Sequence, residues 1–251
     1  MSRVLARHTR ITDMDALPNA NQDDCRSELT LSTIPAAKNE NGVSVGYVPD
    51  PTKRWYIFRV SYGREDKAYD WLVDQKVFAY VPKQYAINKT TNKKVLVSMM
   101  SNFVFAYLTA QDAELYVKGT TTVKRDDKVE TLITPIPRLT DILHYYYDHT
   151  TTLADGMNPP TTIRRDVMES FIRTTLLHDE HVKMARKDEV VFKTNTEVRV
   201  IAGRFQGVIG RVVRHKRQQC VAIQVTNQHL CLTAYIPSDF VRAIPSSSTT
   251  T

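Results

Sequence analysis

From Trp55 to Val60 the chain is almost wholly aromatic or β-branched, the pattern of a buried strand, and Gly63 closes it. A helix is predicted next. Ala68, Trp71, Leu72 and Gln75 recur at the spacing of one helical face, while Glu65, Asp66, Asp70 and Asp74 fall on the other, and the early acids suit a helix N-terminus. Two strands follow, Val77 to Ile87 and Lys94 to Leu108, linked by the polar turn "NKTTNKK". A short helix from Ala110 to Lys118 and a polar insertion lead to a further strand at "ILHYYYDH". In "NPPTTIRRDVMESFIRTTLL", Thr161 or Thr162 serves as an N-cap for a helix that buries Val167, Met168, Phe171, Ile172, Thr175 and Leu176 along one stripe. The order β-α-β-β-α-β-α predicts an α+β domain built on an antiparallel sheet.

The pattern then changes to short strands alone. Val198 and Val200 alternate with Glu197 and Arg199, and Val221, Ile223 and Val225 with Ala222, Gln224 and Thr226; strands are expected at Gln219 to Val225 and Leu230 to Ile236, with a last one around Phe240 to Ile244. Gly203, Gly207 and Gly210 sit where sharp turns are expected, with Phe205 between two of them as a core plug. About five short strands in roughly 55 residues predict a small closed barrel, which leaves few exposed edges. Helical refolding of this part is disfavoured, because each glycine costs a helix about 1 kcal/mol relative to alanine.

The boundaries are an N-terminal extension over 1–50 without periodicity, an α+β domain over 51–182, a charged linker over 183–188, the barrel over 189–244 and a Ser/Thr tail over 245–251. The chain of 251 residues, 42% apolar, is long enough for two cores. No stretch reaches the ~18 apolar residues of a membrane span and no apolar signal core opens the chain, so a cytoplasmic location without membrane contact is expected. Cys25, Cys220 and Cys231 lack metal or disulfide spacing, and the last two read as small core residues that do not face each other. The formal charge of +7 is uneven: residues 1–50 carry −2, residues 51–186 carry +4 and residues 187–251 carry +5. A basic surface over the two folded parts favours nucleic acid.

The glycine-rich segment Val198-x-Val200-x-x-Gly203-x-Phe205-x-Gly207-x-x-Gly210-x-Val212 resembles the KOW motif. Upstream, Trp55-Tyr56 with Gly63 and its helix, Tyr80-Val81-Pro82, and Asn102-Phe103-Val104-Phe105 occur in the order found in the NGN domain of NusG proteins. NGN followed by an SH3-like KOW barrel is the architecture of that family, and the resemblance covers roughly residues 54–244. Within it, "NPPTTIRRDVMESFI", the "YYYDH" strand and the long extension look most like the UpxY-type NusG paralogues of Bacteroidetes, antiterminators of polysaccharide operons. One departure is Ser101-Asn102-Phe103, where relatives carry Pro-Gly-Tyr or Pro-Asn-Tyr; without proline the loop is less preset.

The resemblance implies a monomeric factor without cofactor or metal that grips the clamp coiled coil of RNA polymerase through an apolar depression and suppresses pausing or termination. Phe103 and Phe105 match the aromatics after the family's loop, and Tyr80 and Tyr145 are candidates for the same depression; all four also fit ordinary core residues. Arg64 and Lys67, beside a helix N-terminus, are candidates for non-template DNA or for a plain solvated face. Arg211, Arg214, Lys216 and Arg217, with His215, suit nascent RNA, a partner protein or a merely soluble hairpin tip. Relatives dock a ribosomal protein or a termination factor through the barrel. The alternative is a ribosome-associated KOW protein that binds RNA. An enzyme is not expected: there is no HExxH, P-loop or GxSxG, and the "HDEH" of His178 and His181, with His144, Asp148 and His149 upstream, has a spacing that can ligate metal but also fits the charged end of a helix.

Overall fold

The computed structural model describes residues 50–125 and 128–245. The expected extension, apart from Asp50, and the expected tail, apart from Pro245, lie outside the described residues, as does Cys25. In chain order the elements are β1 (Arg54–Val60), α1 (Glu65–Asp74), β2 (Phe78–Tyr80), β3 (Lys83–Ile87), β4 (Lys94–Ser98), β5 (Phe103–Leu108) and α2 (Ala110–Lys118). Then come β6 (Thr120–Arg125), β7 (Lys128–Ile133), β8 (Leu143–Tyr145), β9 (Thr162–Ile163) and α3 (Arg165–Leu176). The chain continues through β10 (Lys183–Arg186), β11 (Val191–Val200), β12 (Ile209–His215), β13 (Gln218–Gln224), β14 (His229–Leu232) and β15 (Val241–Ala243).

The first sheet is antiparallel, in the order β2-β5-β1-β8, with β9 also paired to β1. Side chains alternate across it, so its two faces enter two different cores. Trp55, Ile57, Phe78, Tyr80, Phe105 and Tyr107 face α3 with its Met168, Phe171 and Ile172. Tyr56, Phe58, Val60, Ala79, Val104 and Ala106 face α1 and α2. The second helix begins where Thr109 accepts from the Asp112 N–H at 3.1 Å and stops at Gly119, whose φ of 84° is cheap only for glycine.

Several expectations shift. The buried face of α1 is Ala68, Tyr69, Leu72 and Val73, with Trp71 half-buried and Gln75 exposed, so the stripe lies further round the helix than the apolar spacing suggested. The long strand expected from Val77 to Ile87 breaks at Pro82, which cannot donate to a ladder, and the one from Lys94 to Leu108 breaks at Asn102, where φ is +65°. Instead, β3 and β4 leave the sheet as a separate two-stranded ribbon, and the polar insertion folds as a second ribbon, β6–β7. At the last helix Thr162 is drawn into β9 against Tyr56, which moves the N-cap to Arg164. Lys183–Arg186, expected within a linker, pairs with β14 as a strand.

The C-terminal part is an antiparallel sheet of six strands in the order β10-β14-β13-β12-β11-β15. Phe205 is buried in the cluster that includes α3, as a core plug would be, and Cys220 and Cys231 fall in different clusters. Gly203 and Gly207 take φ of 81° and 87°, as sharp turns require, but Gly210 lies inside β12 at an ordinary φ. Its hydrogen serves closeness instead: a Cβ there would stand 2.5 Å from the Ala222 carbonyl oxygen and 2.7 Å from Val221 Cγ1. Gly210→Ala should therefore lower stability by about 2–3 kcal/mol through a forced shift of β13, read as a lower denaturant midpoint at unchanged slope. A midpoint within experimental error of the parent would show that the strand pair yields freely.

Candidate functional site

The four aromatic candidates separate. Phe105 is 0% exposed and meets Phe171 edge-on at 5.5 Å. Tyr80 lies beside it, 6.1 Å from the same ring, with its hydroxyl bonded to the Thr175 hydroxyl and its pKa pushed up by burial. Both are core residues, because α3 packs over this face of the sheet, so neither side chain is open to a partner in this arrangement. Tyr145 belongs to the opposite face, half-buried among Phe58 at 5.8 Å, Tyr56 at 6.4 Å and Tyr147 at 5.9 Å; burial raises its pKa too. Phe103 shares the face of Phe105 two residues along but lies at the margin, half-buried, with its ring edge-on to Tyr146 at 5.4 Å and His229 at 5.9 Å.

That last contact comes from β14 of the C-terminal sheet, and it is one of several that join the two parts. The Ile209 N–H donates to Ser170 Oγ at 2.9 Å, Arg173 lies over Gly207, where a Cβ would strike its guanidinium, and Asn227 Nδ2 donates to Asp148 Oδ1 at 2.7 Å. Arg164 bridges Asp166 and Glu197, each at 3.0 Å, and Arg204 pairs with Asp179 at 2.7 Å. The exposed pairs of Arg164 contribute little each. The larger share comes from one apolar cluster in which Met168, Phe171 and Ile172 of α3 lie among residues of both sheets, including Val198, Phe205, Val212 and Ile223.

Arg64 and Lys67 stand exposed at the start of α1. Next to them is Tyr62, missed in the sequence and 85% exposed, in the left-handed region at φ 62°, with the Arg64 guanidinium 5.4 Å from its ring centroid. Asn102 pins this tip: its Oδ1 accepts from the Gly63 N–H at 3.0 Å and its carbonyl from the Val60 N–H at 2.8 Å. The only hint in the sequence was a tyrosine before a glycine between strand and helix.

The basic cluster of the C-terminal sheet also divides. Lys216 and Arg217 form the two-residue turn of β12–β13, both at positive φ, and with Arg214 they are exposed at its tip. Arg211 points elsewhere, into a groove of about 730 Å³ between the two parts that Arg54, Lys118, Arg164, Glu114 and Glu197 also line. His178 Nδ1 stands 3.1 Å from the Lys83 carbonyl oxygen, whereas His181 pairs with Asp179, so the two histidines engage different partners. Among the described residues no group of three or more His, Cys, Asp or Glu side chains is arranged to hold a metal ion, and no helix is long and apolar enough to cross a membrane.

Residues 53–172, from the start of β1 into α3, match the model of the NusG family, described as transcription termination factor NusG. The match supports membership of that family. Curated proteins yield no match to the chain.

His229 gives the junction a pH dependence. Burial lowers its pKa, the Arg186 charge on the paired strand lowers it further, and its Nδ1 lies 2.9 Å from the Thr226 hydroxyl. A histidine held neutral in the native state stabilises it fully above the ordinary pKa near 6.5, and that share is lost as pH falls below it. Thermal unfolding should show a lower midpoint at pH 5.5 than at pH 7.5, with a smaller difference in His229→Gln. An equal pH dependence in both proteins would exclude His229 as its source.

Proposed function

We propose that this chain is a transcription elongation and antitermination factor that holds RNA polymerase through the NusG domain and acts by binding alone. The observation that carries the reading is the family match over the whole of the first sheet, α1, α2 and most of α3, the part that the resemblance implies engages the polymerase. No catalytic step is required of the chain. A factor that binds the elongating conformation more tightly than the paused one shifts the population between them by its difference in affinity, and each tenfold difference is worth about 1.4 kcal/mol.

In this reading the domain spans 51–182, and the strands β11 to β15 curl into a KOW barrel over 189–244 that docks a ribosomal protein or a termination factor. Polysaccharide operons are the proposed targets, on the likeness to the UpxY-type paralogues. Phe103 is the aromatic best placed to meet the clamp coiled coil, since it alone of Phe103, Phe105 and Tyr80 lies at the margin of its face. Arg64 and Lys67, with Tyr62, are the proposed contact to non-template DNA. The exposed Arg214, Lys216 and Arg217 are the proposed contact to RNA or a partner.

Co-elution of the purified chain with RNA polymerase from its own host tests the reading, and co-elution with ribosomes instead would overturn it. Two substitutions refine it. Phe103→Ser should weaken polymerase binding at least tenfold while leaving the thermal midpoint within a few degrees. Phe105→Ser should instead cost about 3–5 kcal/mol of stability, because it opens a cavity against Phe171 and buries a hydroxyl. Full polymerase binding by a stable Phe103→Ser protein would remove Phe103 from the interface.

A further inference from the structure

The β3–β4 ribbon is not used by that reading. Residues 83–98 hold four lysines, Lys83, Lys89, Lys93 and Lys94, and no acid. Lys83 is bound at the root, 2.8 Å from Asp66 in the first turn of α1. Lys89, Lys93 and Lys94 are exposed, and among the described residues no carboxylate pairs with any of them. Three cations without a carboxylate partner make this narrow projection locally basic.

The tip that presents them is ordered. Asn88 Oδ1 accepts from the N–H groups of Thr90 at 2.9 Å and Thr91 at 3.2 Å, the Asn88 N–H donates to the Lys93 carbonyl at 2.9 Å, and Asn92 turns the chain at φ 53°. The root is fixed as well, by the Met99 N–H on the Pro82 carbonyl at 2.8 Å and by His178 against the Lys83 carbonyl. The register puts Tyr85, Ile87, Lys94 and Leu96 on one face, where Tyr85 and Ile87 remain 51% and 67% exposed. The bridge to Asp66 sets this ribbon beside the start of α1, where Arg64 and Lys67 stand.

We propose that the β3–β4 ribbon is a binding element for duplex DNA, contacting the phosphate backbone through Lys89, Lys93 and Lys94. A two-stranded antiparallel ribbon is narrow enough to enter a major groove about 12 Å wide. Lysines supply point charges to phosphates without reading bases, so the binding is indifferent to sequence. A single strand is the weaker fit, because unpaired bases want a free aromatic face. Tyr85, the one aromatic of the ribbon, already has Lys94 Nζ over its ring at 4.6 Å and His178 against it at 5.3 Å.

The test needs only the full chain and DNA, so its failure would leave the polymerase reading untouched. Fluorescence anisotropy would follow binding to a duplex of about 30 bp and arbitrary sequence and to its single strand, at salt between roughly 50 and 200 mM. Lys89→Gln, Lys93→Gln and Lys94→Gln together should weaken duplex binding at least tenfold at low salt and reduce the slope of log K against log salt by about 2–3, close to one unit for each phosphate that no longer meets a lysine. As a control, Lys124→Gln, Arg125→Gln and Lys128→Gln remove the same charge from the exposed β6–β7 ribbon and should leave duplex binding unchanged. Unchanged duplex affinity and slope in the first variant, equal losses in both variants, or tighter binding of the single strand by the parent would each overturn the proposal.

Discussion

Burial of β1 on both faces is the constraint from which the described structure follows. Trp55 and Ile57 on one side and Tyr56, Phe58 and Val60 on the other are all nearly or wholly removed from water. A strand of this kind needs a neighbour at each edge and a layer above and below, since an uncovered side would leave two or three large side chains wet at about 1.5–3 kcal/mol each. The edges are filled by β5 on one side and β8 and β9 on the other. The layers are α1 with α2, and α3. Every candidate aromatic takes its accessibility from its place in that scheme: Phe105 pairs with Ile57 and is covered by α3, while Phe103 pairs with Arg59 at the strand's exposed end.

The third helix has a double task. Met168, Phe171 and Ile172 cover the first sheet, and the same apolar cluster takes in Val198, Phe205 and Ile223 of the C-terminal sheet. A helix buried over more than half its girth is covered on both sides, and α3 accordingly buries even Ser170, Thr174 and Thr175. Two of those hydroxyls are satisfied by specific partners: Ser170 receives the Ile209 N–H, and Thr175 back-bonds to the Phe171 carbonyl at 2.8 Å while meeting Tyr80. The C-terminal sheet is thus held against the helix by complementary packing, with the ion pairs at its rim as trim.

Charge is laid over this frame in separate patches. The tip of β12–β13, the start of α1 and the β3–β4 ribbon each carry unburied cations, and they are carried on turns and ribbons rather than on the sheets that form the cores. That division is physical, because a turn can hold lysine without desolvating it and a doubly buried strand cannot. Burial, the largest cause in each case, likewise raises the pKa values of Tyr69, Tyr80, Tyr145 and Cys231.

The amino-acid sequence alone determined the kind and order of the main elements, because local chemistry decides them: the aromatic run of β1, the Thr109 cap and Gly119 stop of α2, the positive-φ glycines at 203 and 207 and the buried plug at Phe205. It also carried the likeness to NusG, since that rests on spacing along the chain. It did not show what covers each apolar face, because periodicity reports that a face is apolar and not which element lies on it. Phe105 and Phe103 read alike in sequence, and only the position of α3 makes one a core residue and the other a marginal one. Lys183–Arg186 is charged and linker-like by composition, yet β14 offers it an unpaired edge, and backbone groups near a core are better satisfied by a strand than left to turn. Tertiary packing likewise decided that Gly210 is needed for closeness rather than for a turn, since the carbonyl of Ala222 that excludes a Cβ comes from the neighbouring strand.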